Sequence, residues 1–109
     1  MDICKRYTRK VSVKNANGTS DLKCKCGSWI AHWEKYSEEE AVFCCVEGCL
    51  EEAEHGAHVV ISKTGLNDPE KHFYIVPMCH KHNIQRGKEF VVNAETAFVW
   101  ANKAKTCDR

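Results

Sequence analysis

The sequence predicts a small α+β domain built from short β-hairpins and short helices. Its 109 residues are 43% hydrophobic and 9% aromatic, which supports one folded domain with a modest core. Short runs of Val, Ile, Phe and Tyr alternate with turn-forming residues, and other stretches have helical spacing. Eight cysteines indicate metal sites or free thiols more often than disulfides, and a structural metal would supply stability that this core lacks. We therefore interpret residues 1–109 as a single domain, in which residues 1–20 form an N-terminal strand or arm.

The first half of the chain combines two strand-like segments with one helix. Residues 5–14 alternate weakly and predict a strand, and Asn17-Gly18 is a strong turn signal. Ser28 is a suitable N-cap for a helix over residues 29–36, whose aromatic side chains share one face and are expected to pack inward. Residues 41–44 are a short apolar run that predicts another strand.

The second half predicts a hairpin followed by two further helices. Residues 57–62 and 72–78 are β-rich and are joined by a turn-rich loop, so we expect them to pair antiparallel. A helix is predicted to begin at Cys79 and to end near Gly87. After a strand at residues 89–92, Asn93 would cap a last helix over residues 94–103.

Two pairs of metal-ligand residues flank the predicted hairpin. Cys45 and Cys49 lie on a Gly-containing turn, and Cys79 and His82 are three residues apart at the start of the predicted helix. Three thiolates and one imidazole suit tetrahedral zinc, which would contribute folding free energy. Cys44 would give a wider Cys-x4-Cys spacing, so we prefer Cys45 on the tighter turn and leave Cys44 as a buried thiol or a ligand of a second site.

The remaining cysteines suggest a second zinc site. Cys24-Lys-Cys26-Gly can present two thiolates to one metal, and Cys107 could return from the tail to join them. The fourth ligand would be a residue such as His32 or Cys44.

Because the first residues contain no apolar signal sequence and no run is long enough to cross a membrane, we expect a reducing, cytoplasmic location without membrane partners.

The charge is distributed in blocks although the net charge is only +1. Residues 1–26 carry seven Lys or Arg against two Asp, residues 27–54 carry eight Glu against one Lys, and residues 55–109 carry eight basic against five acidic residues. No overall basic footprint for nucleic acid is present, but local contacts to phosphate remain open. The candidate phosphate contacts are Lys5, Arg6, Arg9, Lys10, Lys81, Arg86 and Lys88.

The stretch 45–83 resembles a treble-clef zinc finger of the HNH nuclease family, with a core spanning residues 45–87. The resemblance implies a catalytic base at His58 and an oxygen ligand for Mg²⁺ at Asn83. Two other positions depart from the family pattern, since Ala57 stands where a metal ligand is usual and Tyr74 where an Asn orients the base. We therefore expect an HNH-like scaffold that has lost part of its catalytic set.

Three functions remain open from the sequence. The leading expectation is a zinc-stabilised module that binds nucleic acid or a protein and is not an enzyme. The alternative is a metal-dependent HNH-type nuclease that uses His58 and Asn83 with Mg²⁺. A third is a small phage-type regulatory or inhibitor protein that binds another protein through Trp29, Trp33 and the acidic residues 38–40.

Overall fold

The computed structural model describes residues 4–15, 29–61, 73–85 and 87–100. Within these ranges six strands form one antiparallel sheet in the order β1-β6-β4-β3-β2-β5, accompanied by two short helices. Neither of the two described helices has the length and apolarity to cross a membrane. The elements are β1 (Cys4–Arg6), β2 (Val11–Asn15), α1 (Trp29–Ser37), β3 (His55–Ile61), β4 (Tyr74–Met78), α2 (His80–Asn83), β5 (Glu89–Val92) and β6 (Ala97–Trp100).

The predicted hairpin is confirmed and forms the centre of the sheet. Strands β3 and β4 pair antiparallel, with Ala57 opposite Val76 and His58 opposite Ile75. Neighbouring residues of a strand point to opposite faces, so these two pairs project from different sides of the sheet. Pro77 is tolerated in β4 because β6 pairs only with the first two residues of that strand.

Helix α1 covers one face of the sheet, which we call the helix face. The helix spans Trp29–Ser37 and confirms the predicted helix. Trp29 and Trp33 are buried against Ile75, and the indole of Trp33 donates a 2.7 Å hydrogen bond to the carbonyl of Ala97. Gly56 permits this approach, because a Cβ there would lie 2.3 Å from the backbone carbon of Trp29.

The opposite face, which we call the metal face, carries the larger apolar cluster. Val13 and Val59, from neighbouring strands, are fully buried there, and Tyr7 contacts Phe98 edge to face. Cys44 and Cys79 belong to the same cluster. The metal face is therefore both the main core and the place where cysteines collect.

The predicted α+β treble-clef fold is wrong, because the described residues form mainly a six-stranded antiparallel sheet with two short helices. The described part of the helix predicted over residues 94–103 is a turn at residues 94–95 followed by strand β6, whose four residues Ala97–Trp100 are all buried. A short apolar run is compatible with a buried strand as well as with a helix. This run forms a strand because it pairs with β1 on one side and with β4 on the other. Among the described residues of the helix predicted from Cys79 to Gly87, only the four residues of α2 are helical.

Residues 5–14, predicted as one strand, lie in two strands at different places in the sheet. β1 pairs with β6 at one end, and β2 pairs with β3 and β5. The chain between them passes Tyr7, whose carbonyl accepts a hydrogen bond from the amide of Glu95. The N-terminal arm is thus part of the sheet within residues 4–6 and 11–15.

Candidate metal centre

The first half of the metal centre is a tight turn over residues 44–49, which we call the knuckle. The amide of Cys49 donates to the carbonyl of Val46 at 3.0 Å, and Gly48 has φ +80°, a conformation that glycine adopts without strain. The knuckle is anchored to the sheet, since the amide of Cys45 donates to the Pro77 carbonyl at 2.9 Å. The glycine and these backbone hydrogen bonds together determine where the thiols of the knuckle lie.

The second half is the start of α2. Cys79 occupies the N-cap position with extended backbone angles, and the amide of Asn83 closes the first helical turn on the Cys79 carbonyl at 2.9 Å. This turn brings His82 back towards Cys79, and their Sγ and Nδ1 atoms are 3.2 Å apart. The predicted pairing of these two residues on one side of a helical turn is therefore observed.

The knuckle and α2 together form a Cys3His cluster. The ligand atoms of Cys44, Cys49, Cys79 and His82 all lie within 4.8 Å of one another. The Cys49 and Cys79 sulfurs are 4.0 Å apart, and the Cys44 sulfur is 3.6 Å from Nδ1 of His82. A tetrahedral zinc ion separates two thiolate sulfurs by about 3.8 Å and a sulfur from an imidazole nitrogen by about 3.5 Å. The donor set and its spacing therefore fit one zinc ion.

The third cysteine of this cluster is Cys44, whereas the sequence favoured Cys45. Both thiols are buried in the same apolar cluster, but Cys44 and not Cys45 has its sulfur among the ligand atoms of Cys49, Cys79 and His82. The sequence contained both spacings, and the position of the knuckle depends on the hydrogen bond from the amide of Cys45 to the carbonyl of Pro77, a residue distant in the chain.

Asn15 is a participant in the site that the sequence did not indicate. It is 2% exposed at the end of β2, and its Nδ2 donates to the carbonyls of His82 at 3.2 Å and Asn83 at 2.8 Å. Its backbone also bonds Lys88 and Gly87 on the far side of α2. Asn15 therefore satisfies carbonyls at the end of α2 and holds the turn that carries His82.

Burial shifts the pKa values of side chains in and beside the cluster. Desolvation raises the pKa of Cys44 to about 12 and raises that of Cys45 well above its ordinary value. Burial, followed by the charges of Lys81 and Lys88, lowers the pKa of His82. At neutral pH the imidazole is therefore neutral and ready to ligate, whereas the Cys44 thiol must lose a proton when metal binds.

His58 lies on the helix face, away from the Cys3His cluster. Its side chain is 6% exposed, and its ring meets the Trp29 ring edge to face with centroids 4.5 Å apart. Burial, with a contribution from His32, lowers the pKa of His58 to about 4. Asn83 is instead contacted through its carbonyl by Asn15, whose side chain belongs to the metal face. The two residues of the HNH-like pair thus belong to different sides of the sheet.

The predicted orienting position is also separated from His58. Tyr74 is buried on the metal face opposite Val59, and its hydroxyl accepts a 3.2 Å hydrogen bond from Lys5. Ala57, at the other departing position, is buried in the same cluster. Neither position brings a polar group to the His58 ring.

The predicted second zinc site falls mostly outside the described residues, because Cys24, Cys26 and Cys107 are not among them. His32 is described and fully buried on α1. Its Nε2 donates to the Trp100 carbonyl at 2.9 Å, and burial lowers its pKa. The second site therefore stays a prediction.

Comparison of the chain with protein families, with curated proteins and with solved structures finds no match.

Proposed function

We propose that this protein is a zinc-stabilised binding module that recognises a protein segment carrying basic and apolar side chains. The observation that carries the proposal is the Cys3His cluster, which fixes the knuckle and α2 against the metal face. Thiolate ligation requires reduced cysteines, so the proposed location is the cytoplasm.

The surroundings of His58 argue for binding rather than phosphodiester cleavage. A general base needs hydrogen-bond reach to its substrate water and a pKa near the working pH. His58 is enclosed by Trp29 and has a pKa of about 4. A residue so buried would need α1 to move before it could contact a nucleic acid strand.

The proposed recognition surface is a groove between the knuckle and α2, which we call the acidic groove. It is lined by Leu50, Glu51, Glu52, Glu54, Cys79, His80, Lys81 and Ile84. Leu50 is 84% exposed and Ile84 is 55% exposed, and the lining contains three carboxylates and one ammonium group. Exposed apolar side chains beside unbalanced negative charge favour a partner with apolar anchors and Lys or Arg.

Two of the seven basic side chains predicted to contact phosphate form ion pairs within the described part of the protein. Arg6 contacts Glu39 at 2.6 Å, and Lys10 contacts Glu47 at 2.7 Å. Burial of Trp29 and Trp33 also removes the aromatic surface on which bases would stack. The ion pairs and the buried tryptophans support a protein partner over nucleic acid. Burial of Trp29 and Trp33 also argues against the third hypothesis, in which these two side chains bind the partner.

The binding proposal is tested with a displayed random-peptide library selected on the zinc-loaded protein. We expect enriched peptides to contain Lys or Arg beside apolar residues, and their affinity to fall at least tenfold when Glu51, Glu52 and Glu54 are changed to Gln. The matched control changes Glu38, Glu40 and Glu89, which do not line the groove, to Gln. Acidic enriched peptides, or equal losses in both triple variants, would overturn the proposal.

Nucleic acid is tested separately with duplex DNA and single-stranded RNA at low salt. We expect no saturable binding, and no cleavage of plasmid or RNA with Mg²⁺ or Mn²⁺ in either the wild type or the His58→Ala variant. Cleavage by the wild type that disappears in His58→Ala would establish the nuclease alternative instead.

A further inference from the structure

A pair of histidines outside the Cys3His cluster joins the start of β3 to the start of α2. Nε2 of His55 and Nδ1 of His80 are 3.1 Å apart, and the ring planes are tilted by 48°. His80 is exposed and His55 is partly exposed, so solvent reaches the pair. Each nitrogen carries one in-plane lone pair when its ring proton sits on the other nitrogen.

The separation of these nitrogens suits a shared metal ion. Two imidazole nitrogens bound about 2.05 Å from one ion at angles between about 90° and 109° are about 2.9 to 3.4 Å apart. The observed 3.1 Å lies within that range. Metal binding would need only the tautomers with protons on Nδ1 of His55 and Nε2 of His80, so neutral rings would lose no proton.

The charge around the pair also favours a cation. His80 lines the acidic groove together with Glu51, Glu52 and Glu54. Glu54 directly precedes His55 in the chain and is exposed. These carboxylates raise the local concentration of cations, and water can complete the coordination of an ion that already has two imidazole ligands.

We propose that His55 and His80 form an exchangeable surface site for a divalent transition metal of the imidazole-preferring class, such as Zn²⁺ or Ni²⁺. The site is separate from the Cys3His cluster, since it uses different ligand atoms and is open to solvent. It does not depend on the proposed peptide partner.

The test is a calorimetric titration of the zinc-loaded protein with Ni²⁺, using the wild type, His55→Gln, His80→Gln and the control Lys14→Gln, at an exposed position outside the groove. We expect either histidine variant to weaken one Ni²⁺-binding event at least tenfold, because one imidazole alone holds the ion poorly, and Lys14→Gln to leave it within twofold. Native mass spectrometry of the same samples counts zinc and shows that the Cys3His site stays filled.

A second readout uses the paramagnetism of Ni²⁺. Amide signals of residues around 55 and 80 should broaden first in the wild type and not in His55→Gln. Equal Ni²⁺ affinity in the wild type and both histidine variants, or broadening centred elsewhere on the chain, would mean that the pair is only a hydrogen bond and would overturn the proposal.

Discussion

Two regions of this protein place histidine in different surroundings. On the metal face, His82 points its Nδ1 at the thiols of Cys44 and Cys79. On the helix face, His58 is covered by Trp29. Burial, followed by the charge of His32, lowers its pKa. Both imidazoles have lowered pKa values, but only His82 lies among atoms that can share a metal ion.

This difference shows that a ligand-like or base-like residue type does not define its role. A neutral imidazole among thiolates can ligate zinc, whereas the same group beneath an aromatic ring has only a packing function unless the cover moves. Single substitutions can therefore test the role of histidine on each face separately.

The largest expected effect comes from the neighbouring cysteines of the knuckle. Cys44→Ala should bind one zinc fewer than the wild type and lose several kcal/mol of unfolding free energy, because structural zinc contributes folding energy. Cys45→Ala is the matched control, which should keep the zinc and lose only about 1–2 kcal/mol of core packing. Native mass spectrometry and urea unfolding measure both quantities, and zinc loss in Cys45→Ala instead would reassign the ligand.

The helix face should make stability depend on pH. His58 has a pKa of about 4 in the fold against an ordinary value of 6.5. The unfolded chain therefore binds the proton first as pH falls, so stability decreases from about pH 6.5 down to about pH 4, by about 3 kcal/mol for this group. The buried His32 beside it has a lowered pKa and acts in the same direction.

This pH prediction is checked by urea unfolding at several pH values for the wild type and His58→Leu. The variant should lose a smaller part of its stability between pH 6.5 and pH 4, because one buried titrating group is gone. Identical slopes for the two proteins would show that protonation of His58 does not oppose folding.

A smaller effect is expected where α1 meets the sheet. Gly56→Ala places a Cβ 2.3 Å from the Trp29 backbone, so α1 must shift, at a cost of about 2 kcal/mol. The shift should also expose His58 and raise its pKa in NMR titration. Gly48→Ala is the control, since its Cβ meets nothing within 4 Å and its cost comes only from φ +80°. An unchanged His58 pKa in Gly56→Ala would contradict the proposed cover.

The sequence predicted the parts of the structure that depend on local spacing. The hairpin of β3 and β4, helix α1 and the pairing of Cys79 with His82 follow from residue types and turn geometry. It failed where distant chain segments decide. Strand β6 takes its form from β1 and β4, and the knuckle that carries Cys44 is held to the sheet by the amide of Cys45, which donates to the distant Pro77 carbonyl.

The smallest effect concerns Asn15, which no local pattern marked. Asn15→Ala removes donors to the carbonyls of His82 and Asn83 and should cost about 1 kcal/mol of stability. Because these bonds hold the turn that carries a metal ligand, we also expect zinc affinity to fall about tenfold. Asn93→Ala, at an exposed position, should change neither quantity. Competition with a fluorescent zinc chelator measures the affinity, and a loss of stability without loss of affinity would restrict Asn15 to a structural role in the sheet.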